Sequence, residues 1–336
     1  SSLSSSLSLS LAPRSLAPRL SIGDLGPKTD VDDLDQIRKF ETLIDRDGID
    51  DVEPLVLAYV KERPNSWRGH YIQGYVLFRM RKIGDSIKEL AKSLELNVDN
   101  PEAHKILGRD FVVIGKFDYA QTELEAAARL KPNSAEIHNS LGEVYSGRDM
   151  FKEAKSEFTA AIRLDPEYAE AYNALGFTEE SLGDDTAALA AYNKAVQVAD
   201  QKGLKFDAPF INLGAYYNRL GKPEPALLYA RKAIAVDSKN DLSYYQLGRA
   251  YQALGKWEQA AEAFQKAISV NPVSPSSAQY YYVLSQVYRK LGKEKESLAA
   301  LDRFQELKRA TELIENKMLD NNRRTSVSDT GATDKQ

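Results

Sequence analysis

The sequence predicts an all-α fold, a solenoid of stacked helical hairpins, on three observations: a 34-residue internal period, apolar residues at helical spacing within each period, and glycine or proline where the segments should end. A Leu-Gly pair or its equivalent recurs with its glycine slot at Gly74, Gly108, Gly142 and Gly176, each step being 34 residues. After a four-residue insertion the series resumes at Gly214, steps 34 again to Gly248, and after a three-residue insertion reaches Ser285 in the same slot.

Each period reads as two helices. Leu107, Leu141, Leu175, Leu213, Leu247 and Leu284 precede the slot, and Phe111, Tyr145, Tyr217, Tyr251 and Tyr288 follow three residues later, on one face of the first helix. Seven residues past the slot stand Gly115, Gly183, Gly221, Gly255 and Gly292, suited to the left-handed residue that ends a helix and turns the chain. In the second helix Ala120, Ala154, Ala188, Ala226 and Ala260, with Ala127, Ala161, Ala195, Ala233 and Ala267, let two helices approach closely. Leu124, Phe158, Tyr192 and Phe264 lie between them as the large apolar members of the same face. Pro132, Pro166 and Pro272 stop the second helix.

The ends differ from the middle. Residues 1–32 are mostly Ser, Leu, Ala, Pro and Arg with no acid before Asp24, which predicts a disordered leader; a short strand and an Arg-bearing targeting segment are the other readings. Residues 33–66 have helical periodicity and Pro64 where a repeat should end but no Leu-Gly pair, so they are expected to form a degenerate capping pair. The array proper spans 67–320 and ends in a long charged helix, and 321–336 is expected to be a disordered polar tail. Arg323, Arg324, Thr325 and Ser326 in that tail resemble a basophilic kinase site.

The stretch 244–272, YYQLGRAYQALGKWEQAAEAFQKAISVNP, resembles a near-consensus tetratricopeptide repeat in its aromatic, Leu-Gly, Tyr, Gly, Ala, Phe, Ala and Pro positions. The resemblance covers 67–311, as units 67–100, 101–134, 135–168, 169–206, 207–240, 241–277 and 278–311. It implies a right-handed α-solenoid whose first helices line a concave groove that holds a protein or peptide, so the chain is expected to be a scaffold or adaptor. The positions that face the groove in this family are Tyr71, Tyr75, Lys105, Arg109, Asn139, Glu143, Asn173, Phe177, Asn212, Tyr245, Arg249 and Tyr282, with Glu136 and Glu170 beside them. The family's clamp for acidic chaperone tails does not carry over: Lys105 and Arg109 begin it poorly, and Ser140 and Glu170 stand in its later places. Its asparagine ladder does not carry over either, because only Asn212 directly precedes a Leu-Gly pair.

Composition narrows the partners. A formal net charge of -4 supplies no general positive field for nucleic acid or an anionic membrane, and no run of apolar residues is long enough to span a bilayer as a helix. The chain has no cysteine, which removes disulfides and thiolate chemistry, and no catalytic or phosphate-loop signature. No enzyme activity, cofactor or metal is therefore expected. The alternative reading is a substrate-recognition module for an enzyme, such as a glycosyltransferase, carried on another chain. RNA binding in the pentatricopeptide manner is disfavoured by the acidic charge and the Leu-Gly signature. His70, His104 and His138 share one repeat position, but stacked helices hold such residues roughly 9 Å apart while zinc needs nitrogens within about 2.1 Å, so they are expected to replace packing aromatics. The leader and the consensus-like array are similar to exported bacterial members of the family, so an exported or periplasmic location is favoured over the cytoplasmic and organellar alternatives.

Overall fold

The computed structural model describes residues 32–330, and side chains as far as residue 313. Residues 1–31 of the expected leader and 331–336 of the expected tail lie outside the described residues. Sixteen helices and no strand occur among the described residues: α1 (Leu34–Asp45), α2 (Ile49–Glu62), α3 (Trp67–Arg79), α4 (Ile83–Leu96), α5 (Pro101–Val113), α6 (Phe117–Leu130), α7 (Ala135–Gly147), α8 (Phe151–Leu164), α9 (Ala169–Ser181), α10 (Asp185–Lys202), α11 (Ala208–Arg219), α12 (Pro223–Val236), α13 (Asp241–Ala253), α14 (Trp257–Val270), α15 (Ser277–Lys290) and α16 (Glu294–Thr330). They form two compact units that divide between Leu204 and Lys205. The division falls at the four-residue insertion, where α10 is lengthened to 18 residues and ends on Gly203 with φ 62. Within each unit, consecutive helices pair as hairpins and each hairpin packs on the next.

The Leu-Gly signature has a packing cause. A Cβ on Gly74 would come within 2.6 Å of Leu90, on Gly108 within 2.7 Å of Leu124, on Gly142 within 2.7 Å of Phe158 and on Gly176 within 2.5 Å of Tyr192. Each glycine thus leaves the space that the large residue sixteen positions later fills, which joins the two helices of the hairpin at close range. Gly214 differs, because Ala230 stands opposite and nothing lies closer than 3.6 Å to the added carbon.

The turn position seven residues past the slot is left-handed in every repeat: at Gly115, Gly183, Gly221, Gly255 and Gly292, and at Arg81 and Asp149 where the sequence has no glycine. Asp47, φ 61, takes the same position and puts α1 and α2 in the 34-residue register. Phe40 then holds the glycine slot and Val56 the opposite place, both buried in the cluster with Val52 and Tyr59. Large and small have exchanged sides, so a search for Leu-Gly does not find this pair.

Two boundaries move. Asp32, assigned to the leader, has a fully buried side chain: its carboxylate pairs with the Arg68 guanidinium at 2.7 Å and accepts from the Ser66 hydroxyl. At the other end α16 runs to Thr330, beyond the expected start of a disordered tail at 321. Between Gly292 and Gly331 the chain has neither glycine nor proline, so nothing in its local chemistry ends the helix sooner. Among the described residues no helix is long and apolar enough to cross a membrane.

Candidate functional site

In unit 1 the first helices α3, α5, α7 and α9 lie side by side, so residues at equivalent positions form rows along one face. The start of that face is not available to a ligand. Tyr71 and Tyr75 are buried in the cluster that α1 and α2 make with α3, because the capping pair covers the positions that the family pattern leaves open. The two tyrosines are core residues here.

Next come charged groups. Lys105, only 1% exposed, places its ammonium 2.6 Å from Glu102 and 2.7 Å from Glu136, and Lys131 reaches Glu102 at 3.2 Å. Burial alone would raise the Glu102 carboxyl, but Lys105 and then Lys131 outweigh it and hold it below its ordinary value. Lys105 is thus a neutralised structural cation and not a free anchor. Arg109, partly buried, lies over the Phe78 ring at 5.2 Å.

The middle of the face is polar and less well compensated. The Asn139 Nδ2 donates to Glu143 Oε1 at 2.8 Å, while its Oδ1, in a side chain 4% exposed, has no hydrogen-bond partner. Burial pushes the Glu143 carboxyl up against the pull of Arg109 and the Asn139 bond. Burial also raises Glu170, with the Glu143 charge adding to the effect, and a buried Glu170 Oε1 likewise lacks a partner. Tyr168, the N-cap residue of α9, is raised by burial and then by the charges of Glu143, Glu136 and Glu170. Glu102 and Tyr168 belong to this site and were not singled out in the sequence, although Glu102 stands one period before Glu136. Asn173 is partly buried, and Phe177 packs edge-on against Phe151 with centroids 6.5 Å apart.

In unit 2, Asn212 is partly buried on α11. Tyr245 packs between Tyr280 at 5.1 Å and Phe264 at 5.8 Å and accepts from the exposed Arg249 at 3.1 Å. Tyr282, 38% exposed, lies 5.2 Å from the Phe304 ring of α16. These aromatics are largely occupied by their own hairpins, leaving Arg249 and the outer edge of Tyr282 to solvent.

The histidines depart from the packing role expected of them. Nδ1 of His70, His104 and His138 lies 2.6 Å from Glu89, Glu123 and Glu157 on the second helix of the same hairpin. Nε2 faces the carbonyls of Pro64, Val98 and Pro132 at 3.0, 2.9 and 2.9 Å. Both neighbours are acceptors, so a ring satisfies both only when both nitrogens carry protons. Burial opposes that charge at His70, but the Glu89 and Pro64 bonds outweigh it and raise its pKa. Among the described residues no three His, Cys, Asp or Glu side chains gather as a metal site.

An all-α array of glycine-locked hairpins with polar side chains on its first helices defines the class of helical repeat proteins. The sequence matches the family model described as tetratricopeptide repeat over residues 106–149, 145–203 and 245–310. The chain belongs to the tetratricopeptide repeat proteins. No curated protein matches it. Among solved structures it is similar to the Cut9-Hcn1 hetero-tetramer of the APC/C, at 15% identity and TM-score 0.64 over 74% of this chain and 48% of that one. The chain thus spans about half the length of that first match. A tetratricopeptide repeat protein from Parabacteroides merdae aligns at 15% identity and TM-score 0.60, covering 79% of this chain and 98% of that one. PilW, a type IV pilus biogenesis factor, aligns at 20% identity and TM-score 0.55, covering 62% and 93%. At these identities the likeness concerns the fold.

Proposed function

We propose that the chain is a non-catalytic scaffold that holds a partner protein or peptide on the first-helix face of unit 1. The observation that carries this reading is the Asn139 and Glu143 pair: a buried amide oxygen without a partner beside a carboxylate held above its ordinary value. Leaving such groups uncompensated lowers stability, by about 1–3 kcal/mol for one unpaired buried polar group, so retaining them on a face suited to contact supports a binding role. Arg109, stacked on Phe78 and partly buried, is the adjoining anchor. The test compares wild type with the Arg109→Ala, Asn139→Ala double variant in affinity capture, with circular dichroism confirming equal helicity. A protein retained by the wild type and lost from the variant places the contact on this face. Equal capture by both would move the contact elsewhere on the chain.

A further inference from the structure

The repeat supplies its own template for what the unpaired groups are built to hold. In the α5 setting, Lys105 stands between Glu102, three residues before it, and Glu136 at the start of the next first helix, 2.6 and 2.7 Å away. Moving every position on by one 34-residue period turns Glu102 into Glu136, Lys105 into Asn139 and Glu136 into Glu170. Both carboxylates are kept and the cation between them is missing.

The structure carries the consequences of that omission. Asn139 is buried with its Oδ1 unpartnered, and a buried Glu170 Oε1 is unpartnered as well. A third carboxylate, Glu143, is fixed beside them by the 2.8 Å bond from Asn139. Burial raises both Glu143 and Glu170, and the cations that oppose this, Arg109 for Glu143 and Lys202 for Glu170, do so from beyond ion-pairing distance. Glu136 opens to solvent at the rim, its side chain being 45% exposed, while the Asn139 Oδ1 and the Glu170 Oε1 lie buried below it, as the Lys105 ammonium does one repeat earlier.

We propose that this stretch of α7 and α9 recognises a lysine side chain of a partner protein, its ammonium entering between Glu136 and Glu170 where Lys105 stands one repeat earlier. An ammonium has three donors and no acceptor, which matches two or three carboxylates and the Asn139 amide oxygen. Arginine is the poorer fit, because the built-in precedent is a compact ammonium and a planar fork asks for paired acceptors in one plane. The inference rests on the first-helix face of unit 1 being a contact surface, and it names the chemistry of the contact.

Calorimetric titration of the full chain at low salt with a capped Gly-Ser-Lys triple repeat, and with its acetyl-lysine counterpart, reads the ammonium directly. The lysine peptide binds saturably, and acetylation weakens it about tenfold or more, the loss of one charge-assisted contact. Asn139→Lys supplies the missing cation from within, so it abolishes peptide binding and raises the melting temperature. Glu170→Gln, a milder change, weakens the lysine peptide without touching the backbone and serves if the first variant does not fold. Indifference of the chain to acetylation, absence of binding, or full affinity in Asn139→Lys or Glu170→Gln would overturn the proposal. If affinity capture still depends on Arg109 and Asn139 while the two peptides behave alike, the contact face stands and only its lysine chemistry falls.

Discussion

Four residues before the glycine slot, unit 1 has His70, His104 and His138 and then Tyr172, whereas unit 2 has Phe210, Tyr244 and Tyr281. At Tyr244 the position closes on the same atom: its hydroxyl donates to the Ser238 carbonyl six residues earlier at 3.2 Å, as each histidine faces the carbonyl six residues before it. The imidazole has a second nitrogen, and it reaches a glutamate nineteen residues later. In unit 2 that place holds Tyr229, Ala263 and Ala300. One hairpin geometry is therefore held by ionisable pairs in the first three full repeats of unit 1, and takes an aromatic instead in its Tyr172 repeat and throughout unit 2. The buried Arg68 and Asp32 pair, the Lys105 cluster, Glu41 and Asp110 extend the contrast, while unit 2 joins its segments through Ser274 and Tyr280 donating to Asp241, each at 2.6 Å. Asp207, raised by burial despite the Asn240 bond, is the corresponding titratable group of unit 2.

If ionic links hold unit 1, breaking one should open that unit and spare the other. Arg68→Ala leaves the Asp32 carboxylate buried and unpaired, which costs about 3–5 kcal/mol. Hydrogen exchange should show α1 to α3 losing protection while α11 to α16 keep theirs; uniform loss in both units would remove the distinction.

The next effect is pH dependence. Burial pushes the Asp110 carboxyl up to about 7, from an ordinary 3.8 that the unfolded chain recovers. Between those values the folded chain holds a proton that the unfolded chain has lost, so stability falls as pH rises through the window and levels off above it. Glu41, raised by burial and by Asp45 to about 7, acts in the same direction. Asp110→Asn should raise stability on the order of 3 kcal/mol at about pH 8 and little at about pH 4, read by urea denaturation. An equal gain at both values would mean that ionisation is not the cause.

Smaller changes separate the glycine slots. Gly176→Ala drives a methyl into the Tyr192 ring and should cost about 1–3 kcal/mol. Gly214→Ala puts its methyl in ordinary van der Waals contact, 3.6 Å from Ala230 and Gln246, and should gain up to about 1 kcal/mol from helix propensity, visible as opposite shifts of melting temperature. The finest test is His70→Tyr, which writes the unit 2 solution into unit 1. With its folded pKa raised, His70 stabilises fully below its unfolded value of 6.5, and this contribution is lost as pH rises through the higher folded one. The variant should therefore flatten the slope of melting temperature against pH around neutrality, and an unchanged slope would assign that slope to the carboxyls.

The repeat register, the hairpin turns and the helix-ending glycines were legible in the sequence because they are local: a period, a left-handed residue and a helical face are properties of neighbouring positions. The pairing of each histidine with a glutamate nineteen residues on was also written there. It went unread because an aromatic slot suggests packing until a second nitrogen is given a partner. Phe40 and Val56 concealed a repeat by exchanging volumes across the hairpin. The first-helix face was legible only as a set of positions.

Which of those positions stay exposed was decided by tertiary packing. The capping pair buries Tyr71 and Tyr75, and the neighbouring helix delivers Glu136 to Lys105. The same periodic spacing, one step later, sets an asparagine in the sequence place of Lys105 between Glu136 and Glu170, and packing gives it Glu143 as its partner. The sequence alone determined the class of fold and the order of its helices, since both follow from which residues recur along the chain. Exposure and charge balance on the first-helix face depend on side chains a full period apart, and only packing brings those together.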